Sequence, residues 1–161
     1  MTTAANSYLL ETLKDKFPAE VLATHAFRGD ETAVIQKDSL AAVAAFLKGD
    51  LGFDFLMDLT AVDHSPREPR FELVCHFYSS KHNYRLRLKC ALDSENPAAA
   101  SLTPLWAGAN WFEREAYDMF GIKFEGHPDL RRILMYDGFE GHPLRKDYPL
   151  KKRQPRIPHR D

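Results

Sequence analysis

The 161-residue sequence predicts an α+β protein with a mixed, mainly antiparallel sheet packed by helices and an extended, irregular C-terminal segment. Two observations predict this class. Three runs between residues 53 and 92 alternate between apolar and polar positions, as strands with one buried face do, and segments of helical period lie on both sides of them. After residue 121 no period remains. We therefore divide the chain into a compact α/β domain, residues 1–121, and a docking segment with a basic tail, residues 122–161.

Two helices are predicted in the first third of the chain. Asn6 or Ser7 would cap the first helix and Pro18 would end it. Asp38 would cap the second, and Gly49 would end it in a left-handed conformation. Their apolar residues recur at the helical period: Tyr8, Leu9, Leu13 and Phe17 in the first helix, and Leu40, Val43, Ala44 and Leu47 in the second.

Five strands are predicted, two before the second helix and three after it. The runs 21–28 and 32–36 form a hairpin around Gly29-Asp30, which tolerates positive φ angles. In the last strand Arg85, Arg87 and Lys89 occupy the face opposite the core. The buried positions of the three later strands are Phe53, Phe55, Met57, Leu59 and Ala61, then Phe71, Leu73, Cys75 and Phe77, then Leu86, Leu88, Cys90 and Leu92.

The chain has only two cysteines, Cys75 and Cys90, which are too few for a structural zinc site or an iron-sulfur cluster. A turn centred on His82-Asn83 would place them opposite each other in neighbouring strands. In a reducing cytoplasm two small core residues are expected more often than a disulfide.

Charge and hydropathy argue against several classes of protein. The net charge of -1 gives the chain as a whole no electrostatic attraction to nucleic acid or acidic membranes. Its longest apolar run, residues 40–47, is shorter than the roughly 20 residues that a membrane helix needs. Because no basic residue precedes Leu9-Leu10, a secretory signal is not expected, and we predict a cytoplasmic location.

A third helical region, residues 101–121, carries a cluster of charges. Glu113, Arg114 and Asp118 form either an ordinary solvated face with an i,i+4 pair of Arg114 and Asp118, or contacts within the chain or with a partner. Gly121 would end the helix. No nucleophile or glycine-rich phosphate loop accompanies the carboxylates, so we predict no catalytic residues and no active site in this chain.

The pentapeptide FEGHP occurs twice, at residues 124–128 and 139–143. Glycine permits a positive φ angle and proline keeps the preceding histidine extended, so each copy predicts a rigid corner whose ring enters a packing or hydrogen-bonding pocket. His127 and His142 lack a third ligand at a useful spacing, so we predict no metal site. The corners direct Leu-Arg anchors toward a partner: Leu130, Arg131 and Arg132 from the first, and Leu144, Arg145 and Lys146 from the second.

The segment after residue 121 has too few apolar residues to form a core of its own, so we expect it to gain its order from a neighbouring chain. The tail from Lys151 to Arg160 has two interpretations: a disordered, soluble end, or an arm that orders on an acidic partner.

The run WFEREAYDMFGIKFEGHPDLRRIL, followed by GHPLRKDYP, resembles the signature of the C subunit of the bacterial proton-pumping NADH:quinone oxidoreductase, respiratory complex I. The resemblance covers residues 106–149. It implies a peripheral protein of the hydrophilic arm, on the cytoplasmic side of the inner membrane. Such a protein supports the quinone-site (D) subunit and lies next to the terminal-cluster (B) subunit.

The resemblance further implies that this chain binds no cofactor, and that FMN, iron-sulfur clusters and quinone belong to partner subunits. It indicates that the charged residues of the signature contact those partners: Glu113, Arg114, Asp118, His127, Arg131, Arg132, His142, Arg145, Lys146 and Asp147.

Three other functions compete with this one. The same motif core is found in subunits of membrane-bound nickel-iron hydrogenases and of complexes that oxidise ferredoxin. A hydrolase would use Glu113, Asp118 and a histidine, and would be active as an isolated chain. A nucleic-acid binder would use residues 151–160, and its affinity would fall steeply with salt.

Overall fold

The structure, a computed structural model, describes residues 8–155. Its larger sheet has the strand order β1-β2-β5-β4-β3, in which β2 and β5 are parallel and the other neighbours antiparallel. The predicted fold class is therefore confirmed. The elements in chain order are α1 (Tyr8–Lys16), β1 (Val21–Phe27), β2 (Asp30–Ile35), α2 (Leu40–Gly49), β3 (Phe55–Asp63), β4 (Phe71–Ser79), β5 (Tyr84–Leu92), β6 (Ala98–Ala100), α3 (Ala109–Phe120) and β7 (Lys123–Glu125).

The hydrophobic core lies between one face of the large sheet and the three helices. Large side chains such as Leu13, Phe71 and Phe77 are fully buried in it, and each such burial contributes about 1.5–3 kcal/mol. The other face of the sheet has no helix among residues 8–155 and carries the predicted polar residues of β5. No helix within the described range is both long and apolar enough to cross a membrane.

The β1–β2 hairpin forms as predicted, with its turn one residue earlier. Arg28 and Gly29 occupy the two turn positions with φ angles of 53° and 89°, and Phe27 pairs with Asp30. Positive φ at both positions matches the right-handed twist of the flanking strands.

The predicted alternation in β3 is wrong at two positions. Phe55 and Met57 are exposed, whereas Leu56 is buried with Leu59 and Ala61. The physical reason is a β-bulge, seen as a register shift between Leu56 and Asp58. Because the bulge interrupts the alternation, an even-numbered side chain, Leu56, faces the core before it, and the odd-numbered Leu59 and Ala61 face the core after it.

The two cysteines are two residues out of the predicted register. Cys75 pairs with Leu88, and Cys90 pairs with Leu73, because the β4–β5 loop closes between Ser79 and Tyr84. Both thiols are free and buried, and burial raises the pKa of Cys90 to about 12 and that of Cys75 well above its ordinary value.

Of the predicted helix ends, two are confirmed. α1 ends at Lys16, shortly before Pro18. Gly121 ends α3 with a φ angle of 75°. Asp38 does not cap α2, which follows a short 3-10 turn, and Gly49 is an ordinary last residue of α2, while Gly52 has the positive φ angle. The predicted caps Asn6 and Ser7 lie outside the described residues.

The C-terminal segment, defined in the structure as residues 122–155, differs from expectation because it folds onto the chain's own domain. β7 pairs in parallel with β6, and the side chains of Ile122 and Phe124 are buried in the core. Gly121 is therefore the end of a helix but not of the compact unit, and the predicted boundary between 121 and 122 falls inside the core.

Candidate functional site

The candidate site is the contact between α3 and the irregular part of the C-terminal segment, residues 126–155. This part of the chain consists of turns and bends and has few backbone hydrogen bonds of its own. Its position is fixed by polar side chains of α3 and of the loop between β3 and β4. The residues singled out in the sequence analysis make most of these contacts.

Asp118 binds the turn that follows the first FEGHP corner. Its fully buried carboxylate accepts hydrogen bonds from the backbone N–H groups of Ile133, Leu134 and Met135 at 2.8–3.1 Å, and from Arg132 Nη1 at 2.6 Å. Burial alone would raise the pKa of Asp118, but these four donors outweigh it and hold the pKa below its ordinary value. The carboxylate therefore stays ionised and anchors this turn.

Arg114 does not pair with Asp118, as the solvated-face interpretation expected. It donates instead to the backbone carbonyls of Arg131, at 3.1 Å, and Arg132, at 3.0 Å. The guanidinium also lies over the Trp111 ring, 5.4 Å from its centroid. Arg114 and Asp118, two members of the predicted charge cluster, therefore form their contacts within the chain.

Glu113 faces the opposite direction, into the interior. Its carboxylate is fully buried and accepts hydrogen bonds from Ser101 Oγ at 2.7 Å and from the Leu102 N–H at 2.6 Å. Burial raises the pKa of Glu113 although these bonds oppose it. With no access to a cleft, this carboxylate holds the loop before α3 and is not placed for acid–base chemistry on a substrate.

The two FEGHP corners make equivalent contacts with α3. Gly126 and Gly141 have φ angles of 83° and 93°, as predicted for the corners. His127 Nε2 lies 3.2 Å from the carbonyl oxygen of Asn110, and His142 Nδ1 lies 3.0 Å from that of Asp118. The predicted hydrogen-bonding role of the rings is confirmed, and the repeat places one histidine near each end of the helix.

The second corner also packs closely against the C-terminal end of α3. Arg145 Nε donates to the Phe120 carbonyl at 2.5 Å, and its guanidinium lies 5.2 Å from the Phe71 ring centroid. Burial lowers the pKa values of His142 and Arg145, and the charge of Arg145 further favours a neutral His142. A Cβ atom on Gly121 would lie 2.5 Å from Arg145 Nη2 and 2.6 Å from His142 Nε2.

An ion cluster that the sequence analysis missed holds the end of the segment. Arg70 bridges the buried Asp63, at 2.7 Å, and Asp147, at 2.8 Å, and Asp63 also accepts the Lys146 N–H at 2.8 Å. Hydrogen bonds from Arg70 hold the pKa of Asp63 well below its ordinary value and lower that of Asp147. Because Asp63 and Lys146 are 83 positions apart in the chain, no local pattern indicates this cluster.

The ten predicted partner residues thus divide into three groups. Glu113 and Asp118 are fully buried and form their hydrogen bonds within the chain, so the geometry gives no support to their predicted partner contact. Six form hydrogen bonds within the chain: Arg114, His127, Arg132, His142, Arg145 and Asp147. The exposed side chains of Arg131 and Lys146 leave partner contact as a prediction for them.

Large apolar side chains are exposed around this contact. Trp111 lies on α3, and Leu134, Leu144 and Leu150 lie on the C-terminal segment, each more than half exposed. Within residues 8–155, no group of three or more histidine, cysteine or carboxylate side chains is placed to hold a metal ion.

Comparisons with known proteins agree with the fold and with the signature. Residues 33–154 match the family described as respiratory-chain NADH dehydrogenase, 30 Kd subunit. The NADH-quinone oxidoreductase C subunit of Roseiflexus sp. (strain RS-1) is 49% identical over 147 residues, which cover 90% of this chain and 84% of the relative. The NADH-quinone oxidoreductase C 2 subunit of Rhizobium meliloti (strain 1021) is 51% identical over 128 residues, 78% of this chain and 70% of that protein.

Two solved structures share the architecture. A trypsin-resistant fragment of Nqo5, residues 1–134, superposes with a TM-score of 0.67 at 31% identity and covers 76% of this chain and 98% of the fragment. A chain of an archaeal membrane-bound sulfane sulfur reductase gives a TM-score of 0.76 at 22% identity, covering 89% of this chain and 85% of that one, and shows likeness of fold alone. The family match spans most of this chain, and the chain therefore belongs to the 30 Kd subunit family of the respiratory-chain NADH dehydrogenase.

Proposed function

We propose that this chain is a cofactor-free member of the hydrophilic arm of NADH:quinone oxidoreductase. It supports the quinone-site (D) subunit in electron transfer from NADH to quinone coupled to proton translocation, and lies next to the terminal-cluster (B) subunit. FMN, iron-sulfur clusters and quinone are bound by partner subunits. The chain has no active site of its own, and its place is peripheral, on the cytoplasmic side of the inner membrane.

The observation that carries this proposal is the surface of the C-terminal segment. Leu134, Leu144 and Leu150 are 56%, 52% and 98% exposed on a segment that several of its polar side chains, such as Arg132 and Arg145, bond to the rest of the chain. Exposed apolar side chains on an ordered scaffold suit a permanent protein partner, because association removes them from water without a large ordering cost. The segment thus behaves as a preformed docking surface.

The charges on this surface suit a protein partner as well. Arg131 is paired with Asp129 at 2.9 Å, yet its side chain remains 70% exposed. Arginine is among the residues that most often act as interface anchors, because its planar guanidinium can bind a carboxylate at two points.

The relatives support the respiratory assembly over the alternatives. Relatives at 43–51% identity carry the name of the NADH-quinone oxidoreductase C subunit, so a hydrogenase or ferredoxin-oxidising complex is not favoured. Full burial of Glu113 and Asp118 argues against a hydrolase that would use these two carboxylates.

Co-purification with the quinone-site subunit tests the proposal. Arg131→Ala combined with Leu134→Ser should reduce recovery of the quinone-site subunit, and NADH:quinone activity of membranes, at least about fivefold, as loss of one interface anchor does. The matched control is Lys81→Ala combined with Phe55→Ser, on an exposed loop and strand away from the segment. Equal recovery from wild type, variant and control would contradict the proposal.

Arg145→Ala is less suitable for this purpose. Its side chain bonds to the end of α3 and packs on Phe71, so its loss would disturb the fold of the segment together with any interface.

A further inference from the structure

The outer edge of strand β1 is the one edge of the large sheet to which the described residues give no cover. β1 pairs with β2 on one side only. An edge strand presents a row of unpaired N–H and C=O groups, and proteins normally guard such a row with charged residues, proline, a central bulge or a covering element.

The opposite edge strand, β3, has guards of this kind. It contacts α3, contains the bulge between Leu56 and Asp58, and ends at Asp63, which binds the C-terminal segment through Lys146. These features guard β3 against pairing with another strand over part of its length.

β1 has none of these guards along its centre. Residues 21–27, VLATHAF, include no lysine, arginine, aspartate, glutamate or proline, and the only register shift lies at the start, between Val21 and Ala23. Leu22 and Phe27, near the two ends of the strand, are 60% and 67% exposed. The edge is thus regular, uncharged and flanked by apolar side chains.

The hairpin geometry identifies which backbone groups face outward. A two-residue turn makes Phe27 and Asp30 a hydrogen-bonded pair, and the antiparallel alternation makes His25 and Thr32 the next one. Thr24 and Ala26 therefore direct their N–H and C=O groups away from β2. Among residues 8–155, no turn, loop or cap takes up these groups in a backbone hydrogen bond.

We propose that the outer edge of β1 is a second docking site, at which an uncharged, extended segment of another subunit adds as a sixth strand. Main-chain hydrogen bonds to Thr24 and Ala26 would supply the affinity, as in other cases of strand addition. An uncharged centre fits this edge best, because residues 21–27 include no lysine, arginine, aspartate or glutamate to form a cross-strand pair with a charge on the added strand. The inference rests on the chain acting within an assembly, as proposed above.

Hydrogen exchange resolved to single amides tests this on the full chain, isolated and within the purified assembly. The amides of Thr24 and Ala26 should exchange freely in the isolated chain and at least about tenfold more slowly in the assembly, because a new hydrogen bond must open first. The amide of His25, which pairs with β2, should be protected in both. Unchanged exchange at Thr24 and Ala26 overturns the proposal.

A pair of variants tests the same backbone group by function. Thr24→Pro removes the outward N–H at an edge position that tolerates proline, whereas Thr24→Val keeps it with a side chain of similar size. Co-expressed with wild type, the proline variant should be under-represented in the assembly at least about fivefold and the valine variant equally represented. Equal incorporation of both variants overturns the proposal. If the proline variant does not fold, the hydrogen-exchange comparison on the wild-type chain decides the question.

Two further outcomes separate this inference from the proposed function. A chain that enters the assembly with β1 amides unprotected refutes the strand addition alone. Failure of the wild-type chain to enter any assembly refutes both. Concentration-dependent protection of Thr24 in the isolated chain would identify a second copy as the occupant and would overturn the proposal of a different subunit.

Discussion

At the scale of single residues, the position of the C-terminal segment depends on a few residues that other amino acids could not replace without loss of stability. Gly121 ends α3 in a left-handed conformation and also leaves room for His142 and Arg145. Asp118 provides one carboxylate for four donors. Each of these two residues serves α3 itself and also contacts the C-terminal segment. A substitution at either position should therefore affect the helix and the segment together.

Replacing Gly121 with alanine should destabilise the protein. The φ angle of 75° disfavours a Cβ atom, and that atom would lie 2.6 Å from the His142 ring nitrogen. We expect the free energy of unfolding to fall by about 2–3 kcal/mol, measured by urea denaturation. Gly49→Ala is the matched control, since it has nothing within 4 Å of the new Cβ and an ordinary φ angle. Equal stability of the two variants would show that the segment does not pack at Gly121.

Replacing Glu113 with glutamine should change how stability depends on pH. Burial raises the pKa of Glu113 above its ordinary 4.5, so the folded protein retains a proton that the unfolded chain has already lost. The contribution of this group is therefore present below about pH 4.5 and is lost as pH rises through the folded pKa.

Glutamine has no proton to lose, so Glu113→Gln should gain stability relative to wild type as pH rises, and the gain should vanish below about pH 4. Thermal unfolding of both proteins between pH 4 and 8 measures this. The matched control Glu115→Gln makes the same change at a neighbouring exposed carboxylate. A difference between Glu113→Gln and wild type that does not change with pH would refute the raised pKa.

At the scale of elements, an irregular segment is held because one helix provides binding groups along its whole length. The first corner contacts the carbonyl of Asn110, and the second contacts those of Asp118 and Phe120. The Asp63–Arg70–Asp147 cluster then attaches the end of the segment to the loop between β3 and β4. Side-chain contacts thus take the place of the backbone ladder that a helix or strand would have.

Breaking the ion cluster should release the end of the segment. Arg70→Met would leave the buried Asp63 carboxylate without its charged partner, a change that costs about 3–5 kcal/mol for buried pairs. We expect lower stability by thermal unfolding and faster tryptic cleavage after Arg145 and Lys146. Lys37→Met, which removes the exposed pair with Asp93, should leave stability nearly unchanged, because exposed ion pairs contribute little. Unchanged cleavage in the Arg70 variant would show that the cluster does not hold the segment.

At the scale of the whole molecule, the compact unit closes only after the chain has passed Gly121. β7 completes a small parallel sheet with β6, and Ile122 and Phe124 enter the core. The remaining residues, 126–155, lie on the outside of that unit. This arrangement leaves one surface formed by the C-terminal segment and, at the far side of the sheet order, the free edge of β1.

Two truncated chains should separate the core from the docked segment. A chain ending after Glu125 keeps β7 and should unfold cooperatively in urea. A chain ending after Gly121 loses two buried side chains, Ile122 and Phe124, and should be less stable by about 4 kcal/mol or more. Equal stability of the two chains would place the boundary between residues 121 and 122, as the sequence predicts.

Local patterns in the sequence are sufficient for those features that depend on neighbouring residues. Alternation and helical period predict the five strands of the large sheet, the helices and the mainly antiparallel class, but not the short strands β6 and β7. The glycines of the two corners and Gly121 predict positive φ angles because only glycine adopts them without strain. The family signature around residues 111–134 indicates the assembly, since its residues occur in a fixed order.

Tertiary packing determines which groups meet across long stretches of chain. The bulge in β3 reversed the faces of Phe55 and Leu56, and the β4–β5 loop moved the cysteines out of register, because both depend on pairing with another strand. Asp118 binds Arg132 and not Arg114, since a buried carboxylate is stabilised by several donors at once and a turn 15 residues away supplies them. Burial and the choice of partner are properties of the packed chain, and no window of sequence contains them.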